Sequence, residues 1–217
     1  MTITETRPAE TVAPADEPIT ITRRRIDAIA LIAGVAAVLV LAAAGALLTW
    51  GSNFAEDYVG DELAAQAITF PPAESLQEEG RDDLVAFADG QVDTGEEAEA
   101  YASFIAGHIE GIAEGATYAE LGDAERAAEE AATEAITSGA PANEVATLEE
   151  EAAAITGQRD SIFRGEMLRG TLLNAFAWST MGRIAGIAAT VAFAAAALMA
   201  VLVGLGFVHL RKMTAAQ

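Results

Sequence analysis

The 217-residue chain contains no cysteine, which excludes several kinds of site. Disulfide frameworks, zinc–thiolate centres, iron–sulfur clusters and thiol nucleophiles all require cysteine side chains. Histidine occurs only twice and lysine once, and the chain has no Gly-x-Ser-x-Gly, His-Glu-x-x-His or phosphate-binding glycine motif. We therefore expect a protein that is not an enzyme and that needs no cofactor.

Basic residues are scarce in the middle of the chain. Between Gly51 and Arg183 there are 28 acidic residues and six arginines, a net charge of −22, whereas the rest carries five acidic and six basic residues, a net charge of +1. So dense a negative charge excludes nucleic acid as a partner of the central segment, because its phosphates would be repelled.

Charge is absent altogether from two apolar runs that flank this segment. Ile29–Leu48 is 20 residues long and Ile184–Val208 is 25. As helices they would span about 30 and 37 Å, enough to cross the hydrocarbon core of a bilayer. Trp50 and Trp178 lie near the ends that face the central segment, where interfacial aromatic residues are common. Neither run contains an interior ionisable residue, which disfavours an ion path.

The short flanks of these runs predict the orientation. Arg23–Arg25 precede the first run and Arg211–Lys212 follow the second, so the positive-inside bias places both termini in the cytoplasm of a multi-pass plasma-membrane protein. The central domain is then extracellular. The predicted organisation is a disordered cytoplasmic tail (1–25), a transmembrane helix (26–50), an extracytoplasmic helical domain (51–182), a second transmembrane helix (183–208) and a cytoplasmic tail (209–217).

A cleaved signal peptide is an alternative for the first run. Basic residues, an apolar core and the small residues Ala42–Ala44 also fit a signal sequence. The continuation of the run to Trp50 and the long tail before the arginines favour a retained span.

The acidic segment has the patterns of helices, and no stretch alternates with a period of two, so we expect an all-α fold without a sheet. Thr94 with Glu97 has the form of a capping box, and Thr117 with Glu120 repeats it more weakly. Pro71–Pro72 cannot continue a helix. The predicted helices are an extension of the first span over Asn53–Phe70, an amphipathic helix after Thr94, two Ala/Glu-rich helices over Asp123–Ile136 and Asn143–Ile155, and a helix from Ser161 that runs into the second span.

Two of these helices carry the candidate partner-contact face. His108 lies on the apolar stripe of the first, and we expect it to fill or cap a core rather than to bind a metal, since no second histidine is near. The arginines of the second helix are expected to pair with carboxylates of the domain. The predicted face consists of Tyr101, Phe104, His108, Ile112, Phe163, Arg164, Arg169, Asn174 and Trp178.

Small residues in both runs predict close packing of the two spans. Gly182 and Gly186 are four residues apart at the head of the second run, and Gly34 lies in a stripe of small residues (Ala30, Ala37, Ala44) in the first. Such residues let helix backbones approach closely. A hairpin of the two spans explains the pattern before a dimer does.

Runs of acidic residues recur in the domain, for example Glu149–Glu151. Carboxylate oxygens suit Ca²⁺ and Mg²⁺, but none of the runs has the spacing of an EF-hand loop. We expect solvated helix faces and at most weak association with these cations, and no dedicated metal site.

Three stretches resemble one family of membrane proteins. They are Asp61–Pro72 (DELAAQAITFPP), Thr94–Ala102 (TGEEAEAYA) and Phe163–Ala175 (FRGEMLRGTLLNA). The chain is similar over about residues 26–212 to an uncharacterised two-span family of high-GC Gram-positive bacteria. The resemblance implies two spans, and it implies no mechanism.

Members of that family often carry the label of the small subunit (LigA) of an aromatic ring-opening dioxygenase, which this sequence does not support. A non-haem iron site of that type needs two histidines and a carboxylate together. His108 belongs to the outer domain, whereas His209 lies at the cytoplasmic end of the second span. One chain cannot bring both to one iron.

These observations favour a non-catalytic accessory protein. We expect the outer helical domain to bind a membrane or envelope protein, or a second copy of the chain. The alternative is an acidic envelope domain that responds to divalent cations.

Overall fold

The computed structural model describes residues 23–215. Residues 1–22 of the predicted disordered tail therefore lie outside the described residues. Within residues 23–215 the chain is helical, and its one β-type pairing is an isolated antiparallel bridge between Thr69 and Gln91. The all-α prediction is confirmed for the described residues. The elements are α1 (Arg23–Gln66), α2 (Ala73–Glu78), a 3₁₀ helix (Asp82–Phe87), α3 (Gly95–Ile112), α4 (Tyr118–Ser138) and α5 (Ala142–Ala215).

Helices α1 and α5 are long enough and apolar enough to cross a membrane. They contain 44 and 74 residues, which corresponds to about 66 and 111 Å of helix. Only 6% of the most apolar window of each helix is buried. A core helix of a water-soluble protein would be mostly buried, so these windows expose apolar side chains to their surroundings.

The chain divides into two compact units. One contains the chain up to Ala42 and from Ala194 onward, and the other is Ala43–Phe193. In the first unit, α1 lies against the last part of α5 through small residues. A Cβ atom on Gly34 would lie 2.6 Å from Val203 Cγ2, and one on Gly206 would lie 3.1 Å from Leu31 Cδ2. The missing side chains therefore allow the two helices to approach closely.

The second unit has its own contacts between α1 and α5. A Cβ atom on Gly182 would lie 3.0 Å from Ala55 Cβ, and one on Gly186 would lie 2.9 Å from Ser52 Oγ. The α1 residues turned inward here recur at alternating steps of three and four, which is the seam spacing of a left-handed coiled coil. They are Gly45, Leu48, Ser52, Ala55 and Val59.

Helix α1 continues past the apolar run, as predicted, but it ends at Gln66 and not at Phe70. Ala67 adopts a left-handed backbone (φ +50°), and the chain then runs beside the segment before α3. Val92 N–H donates to Ile68 C=O at 2.8 Å, and Phe70 N–H donates to Gly90 C=O at 2.9 Å. The turn buries Phe70 in a core with Leu63 and Leu172, and this burial favours the turn over further helix.

Both predicted capping boxes are formed. Thr94 Oγ1 accepts from Glu97 N–H at 3.2 Å, while the Glu97 carboxylate accepts from Thr94 N–H at 2.9 Å. Thr117 and Glu120 make the same pair of hydrogen bonds. Helix α4 therefore begins at Tyr118, five residues before the predicted start, because the cap satisfies amide groups that would otherwise be unpaired.

Helix α5 replaces the two helices that the sequence predicts over residues 143–155 and from Ser161. No break occurs at Gly157. Thr156 Oγ1 and Ser161 Oγ donate to the carbonyl oxygens four residues earlier, at 3.1 and 2.9 Å. Such bonds remain inside the helix, and burial of Ala152 and Ile162 on either side holds one continuous helix.

Candidate interaction surface

Two residues of the predicted face lie inside the domain. Phe104 is buried with Leu76 and Leu84, so it joins α3 to α2 and the 3₁₀ helix. The ring of Tyr101 meets that of Phe70 edge-on at 5.2 Å, and burial raises the pKa of its hydroxyl. Both side chains stabilise the fold; Phe104 is buried and therefore not available to a partner, whereas Tyr101 is partly buried.

His108 lies at the surface against the buried ring of Phe104, so of the two predicted roles it caps the core and does not fill it. Its side chain is about half exposed, with Nδ1 3.9 Å from the Glu79 carboxylate, and its ring centre is 4.6 Å from that of Phe104. The α2 segment covers Phe104 but not the next turn of α3. In the part of the chain that the structure describes, no three histidine or carboxylate side chains converge on a metal position.

Arg81 attaches the segment before α3 to that helix. Its guanidinium donates to the Ser103 carbonyl and hydroxyl oxygens, both at 2.9 Å, and to Asp83 at 2.8 and 3.0 Å. The hydrogen bond from Arg81 lowers the pKa of Asp83. Sequence reasoning missed this role, since a lone arginine among acidic residues does not reveal which backbone it will reach.

Helix α5 carries an exposed apolar stripe, which we call the α5 stripe and define by Phe163, Met167, Trp178 and Met181. Each of these side chains exposes more than half of its surface. Steps of four, eleven and three residues place them on one side of a helix. Asn174 lies on the same side and is also exposed. The sequence analysis found Phe163, Asn174 and Trp178 and missed both methionines, although their spacing is the same.

The opposite side of α5 is packed. Ile162 and Leu172 are buried there, and a Cβ atom on Gly165 would lie 2.7 Å from Ile109 Cγ1 of α3. Contacts with α1 and α3 thus occupy one face of α5 and leave the α5 stripe uncovered by the described residues.

The arginines of the predicted face pair within their own helix. Arg164 Nη2 is 3.3 Å from Asp160, and Arg169 Nη1 is 3.0 Å from Glu166. The expected pairing with domain carboxylates is confirmed for these two residues. Because such exposed pairs contribute little stability, they flank the stripe as charged groups and do not anchor it.

A cluster around Arg159 attaches the Phe163 end of the α5 stripe to α4. Arg159 forms a salt bridge with Glu125, and its guanidinium carbon lies 4.4 Å above the centre of the Tyr118 ring. Hydrogen bonds from Thr156 and then Arg159 lower the pKa of Glu125. The Tyr118 ring lies 5.9 Å from that of Phe163, so that α4 supports the first residue of the stripe.

Beside the stripe lies a groove between α1 and α5, with a volume of about 610 Å³. Val59, Leu63 and Leu172 form its apolar floor. Its rim consists of Tyr58, Glu62, Gln66, Leu168, Asn174 and Trp178.

Three aromatic rings lead along α1 to this groove. Trp50 stacks on Phe54 with ring centres 5.8 Å apart, and Phe54 stacks on Tyr58 at 5.9 Å. All three side chains expose more than half of their surface. We call this row the aromatic ladder, and its last member, Tyr58, is also a wall of the groove.

The fold and surface define a class of helical proteins with two helices suited to span a membrane. Comparison of the chain with protein-family models, with curated proteins and with solved structures finds no match. The resemblance based on the three sequence stretches therefore stays a prediction.

Proposed function

We propose that the protein is a non-catalytic, two-pass membrane protein that binds a membrane partner through its outer helical domain. In this proposal α1 and α5 cross the membrane, and both termini are cytoplasmic. The exposure of their apolar windows and the arginines at their cytoplasmic ends support the two spans.

The observation that carries the binding function is the exposed α5 stripe. Four large apolar side chains lie exposed along one side of a helix whose other side is packed. Exposed apolar side chains in two pairs, Phe163 with Met167 and Trp178 with Met181, bordered by charged residues such as Arg164 and Glu166, are typical of a contact surface.

The form of the stripe favours a helix of another membrane protein as its partner. Helix α5 is unbroken from Ala142 to Ala215, so the stripe and the second apolar run belong to one helix. Apolar side chains at spacings of three and four residues are what a facing helix contacts.

Photocrosslinking of the full chain in native membranes tests this proposal. p-Benzoylphenylalanine placed at Phe163 or Met167 is expected to yield one discrete adduct. The matched control carries the same group at Ala153, which is also exposed on α5 but lies outside the stripe. An adduct at twice the monomer mass of 22.4 kDa identifies a second copy as the partner.

A charge introduced into the α5 stripe tests the contact independently. Met181→Glu should remove the adduct formed at Phe163, because burying an unpaired carboxylate in an apolar contact is costly. Equal adducts from Phe163 and Ala153, or an adduct that survives this substitution, would contradict the proposal.

A further inference from the structure

The groove and the aromatic ladder form one continuous surface, because Tyr58 belongs to both. From Trp50 to Glu62 the surface follows 13 residues of α1, whose ends are about 18 Å apart. One leaflet supplies half of a hydrocarbon core about 30 Å thick, so an extended lipid chain has nearly the same length.

Along α1 the exposed side chains change from aromatic to polar, while Ile68 and Leu168 add apolar surface to the lining of the groove. Trp50 and Phe54 lie at the end nearest the apolar run, and Tyr58 and Trp178 follow. Glu62, Gln66 and Asn174 line the far end. An outer-leaflet lipid has the same order in the proposed orientation, with the tail toward the bilayer and the head away from it.

The polar end of the groove consists of three exposed side chains. Among the described residues, the side chains of Glu62, Gln66 and Asn174 make no hydrogen bond or ion pair. Asn174 and Gln66 each offer a donor and an acceptor. The groove is therefore equipped to bind a small head group that has hydroxyl groups.

The charge of the rim favours neutral head groups over anionic ones. The rim contains one carboxylate, Glu62, and no basic residue. Bringing a phosphate or a fatty-acid carboxylate close to Glu62 would be unfavourable, whereas a neutral head would not be repelled.

From these observations we propose that the groove binds a long-chain, neutral, hydroxyl-bearing amphiphile taken from the outer leaflet. Its head lies at Asn174 and Gln66, and its hydrocarbon chain runs past Trp178 and Tyr58 along the aromatic ladder toward the bilayer. This inference rests on the membrane insertion contained in the proposed function. The volume of about 610 Å³ is within the range of small-molecule sites.

The two tryptophans of the chain permit a direct test, since both lie on the proposed path. Trp50→Phe keeps an aromatic ring in the ladder and leaves Trp178 as the only tryptophan. This full-length variant is reconstituted in nanodiscs of unbrominated phospholipid. A monoacylglycerol brominated on its chain is titrated in, and the free fatty acid with the same brominated chain serves as the anionic comparison.

We expect saturable quenching of Trp178 by the monoacylglycerol, at a half-saturation at least about tenfold lower than with the fatty acid. Asn174→Leu should raise the half-saturation about three- to tenfold, as loss of one hydrogen bond does. Equal quenching by the two amphiphiles, or quenching without saturation, would show simple exposure to the bilayer and would overturn the inference.

A pair of substitutions separates the groove from the rest of α5. Ala175 lines the groove, so Ala175→Phe should fill it and abolish the saturable quenching. Ala177→Phe makes the same change at an exposed position that is not in the groove lining and should leave quenching intact. Circular dichroism checks that both variants are helical. If Ala175→Phe unfolds, the Asn174→Leu variant tests the inference instead. An unchanged half-saturation of quenching in Asn174→Leu overturns the inference.

The reciprocal variant distinguishes this inference from the proposed function. Trp178→Phe leaves Trp50, which a chain-brominated phospholipid of the bilayer should quench if α1 crosses the membrane. Absence of that quenching would refute membrane insertion and the groove together. Quenching of Trp50 without a response of Trp178 to the monoacylglycerol would refute the groove alone.

Discussion

At the scale of single residues, a few carboxylates of the acidic central segment stabilise the fold, whereas most are exposed. Hydrogen bonds from the backbone and the hydroxyl of Thr117 lower the pKa of Glu120. Partial burial alone would raise the pKa of Glu97, but hydrogen bonds from Asp93 and Thr94 outweigh it and lower the pKa. Both carboxylates cap a helix N-terminus, where negative charge is favourable.

The cap of α4 should make stability depend on pH. A carboxylate whose pKa is lower in the folded than in the unfolded chain stabilises the fold at neutral pH and loses this effect as the pH falls. We expect Glu120→Gln to lower the melting temperature at pH 7. The difference from the wild type should shrink below about pH 4, where the unfolded glutamate takes up its proton.

Thermal unfolding of the full chain in mild detergent, followed by circular dichroism from pH 7 to 3, measures this effect. Glu129→Gln serves as the control, since Glu129 makes no hydrogen bond or ion pair with the described residues. A gap between Glu120→Gln and wild type that stays constant over the whole range would contradict the assigned role.

At the scale of elements, α3 and α5 approach because a glycine lies between them. A Cβ atom on Gly165 would meet the side chain of Ile109, whereas one on Gly170, five residues further along α5, would have open space around it. Both positions lie in α5 and differ only in their neighbours. Comparing alanine substitutions at the two positions therefore separates the effect of helix propensity on stability from that of packing.

Alanine at these two glycines should have opposite effects on stability. Gly170→Ala should stabilise by about 0.5–1 kcal/mol through helix propensity. At Gly165 the same gain is offset by displacement of Ile109, so Gly165→Ala should be less stable than Gly170→Ala by about 1–3 kcal/mol. Denaturant titration of both variants gives the two values, and equal stabilities would mean that α3 does not pack at Gly165.

The segment of α2 and the 3₁₀ helix depends on one buried ring. Phe104→Ala should cost about 3–5 kcal/mol, because it leaves a cavity beside Leu76 and Leu84. Phe163→Ala removes a phenyl ring that is about half exposed and touches Tyr118, so it should cost less, about 1 kcal/mol. Limited proteolysis within residues 73–93 checks the assignment, and resistance of Phe104→Ala to cleavage there would argue against it.

At the scale of the whole molecule, the absence of cysteine makes the proposed topology testable, since any introduced thiol is unique. A membrane-impermeant maleimide should label Thr137→Cys on intact cells. It should label Gln217→Cys only after permeabilisation, because the positive flanks favour the cytoplasm. The reverse pattern would invert the orientation, and a purified chain that has lost its N-terminal peptide would establish a cleaved signal sequence.

Local patterns predicted much of the fold because local chemistry controls it. The Thr-x-x-Glu boxes at Thr94 and Thr117 satisfy amides within one turn of helix, and Gly139 with Pro141 ends α4 and separates it from α5. The end of α1 was not predictable in this way. It depends on pairing between Ile68 and Val92, which lie 24 residues apart in sequence.

The candidate surface shows the same division. Periodicity identified α3 and α5 as amphipathic, but it does not tell which neighbour will cover a given stripe. Phe104 and Tyr101 are covered by the segment before α3, while Phe163 and Trp178 remain exposed.

By itself, the sequence determined the helical class, the two apolar runs, the acidic middle and both helix caps. Each depends on composition or on contacts within a turn or two of one helix. Only the tertiary structure decided that α5 is continuous, that His108 lies at the surface, and that Tyr58 and Trp178 border one groove. Those features arise where distant segments meet, and the free energy of packing between them decides which side chains are buried and which stay free to bind.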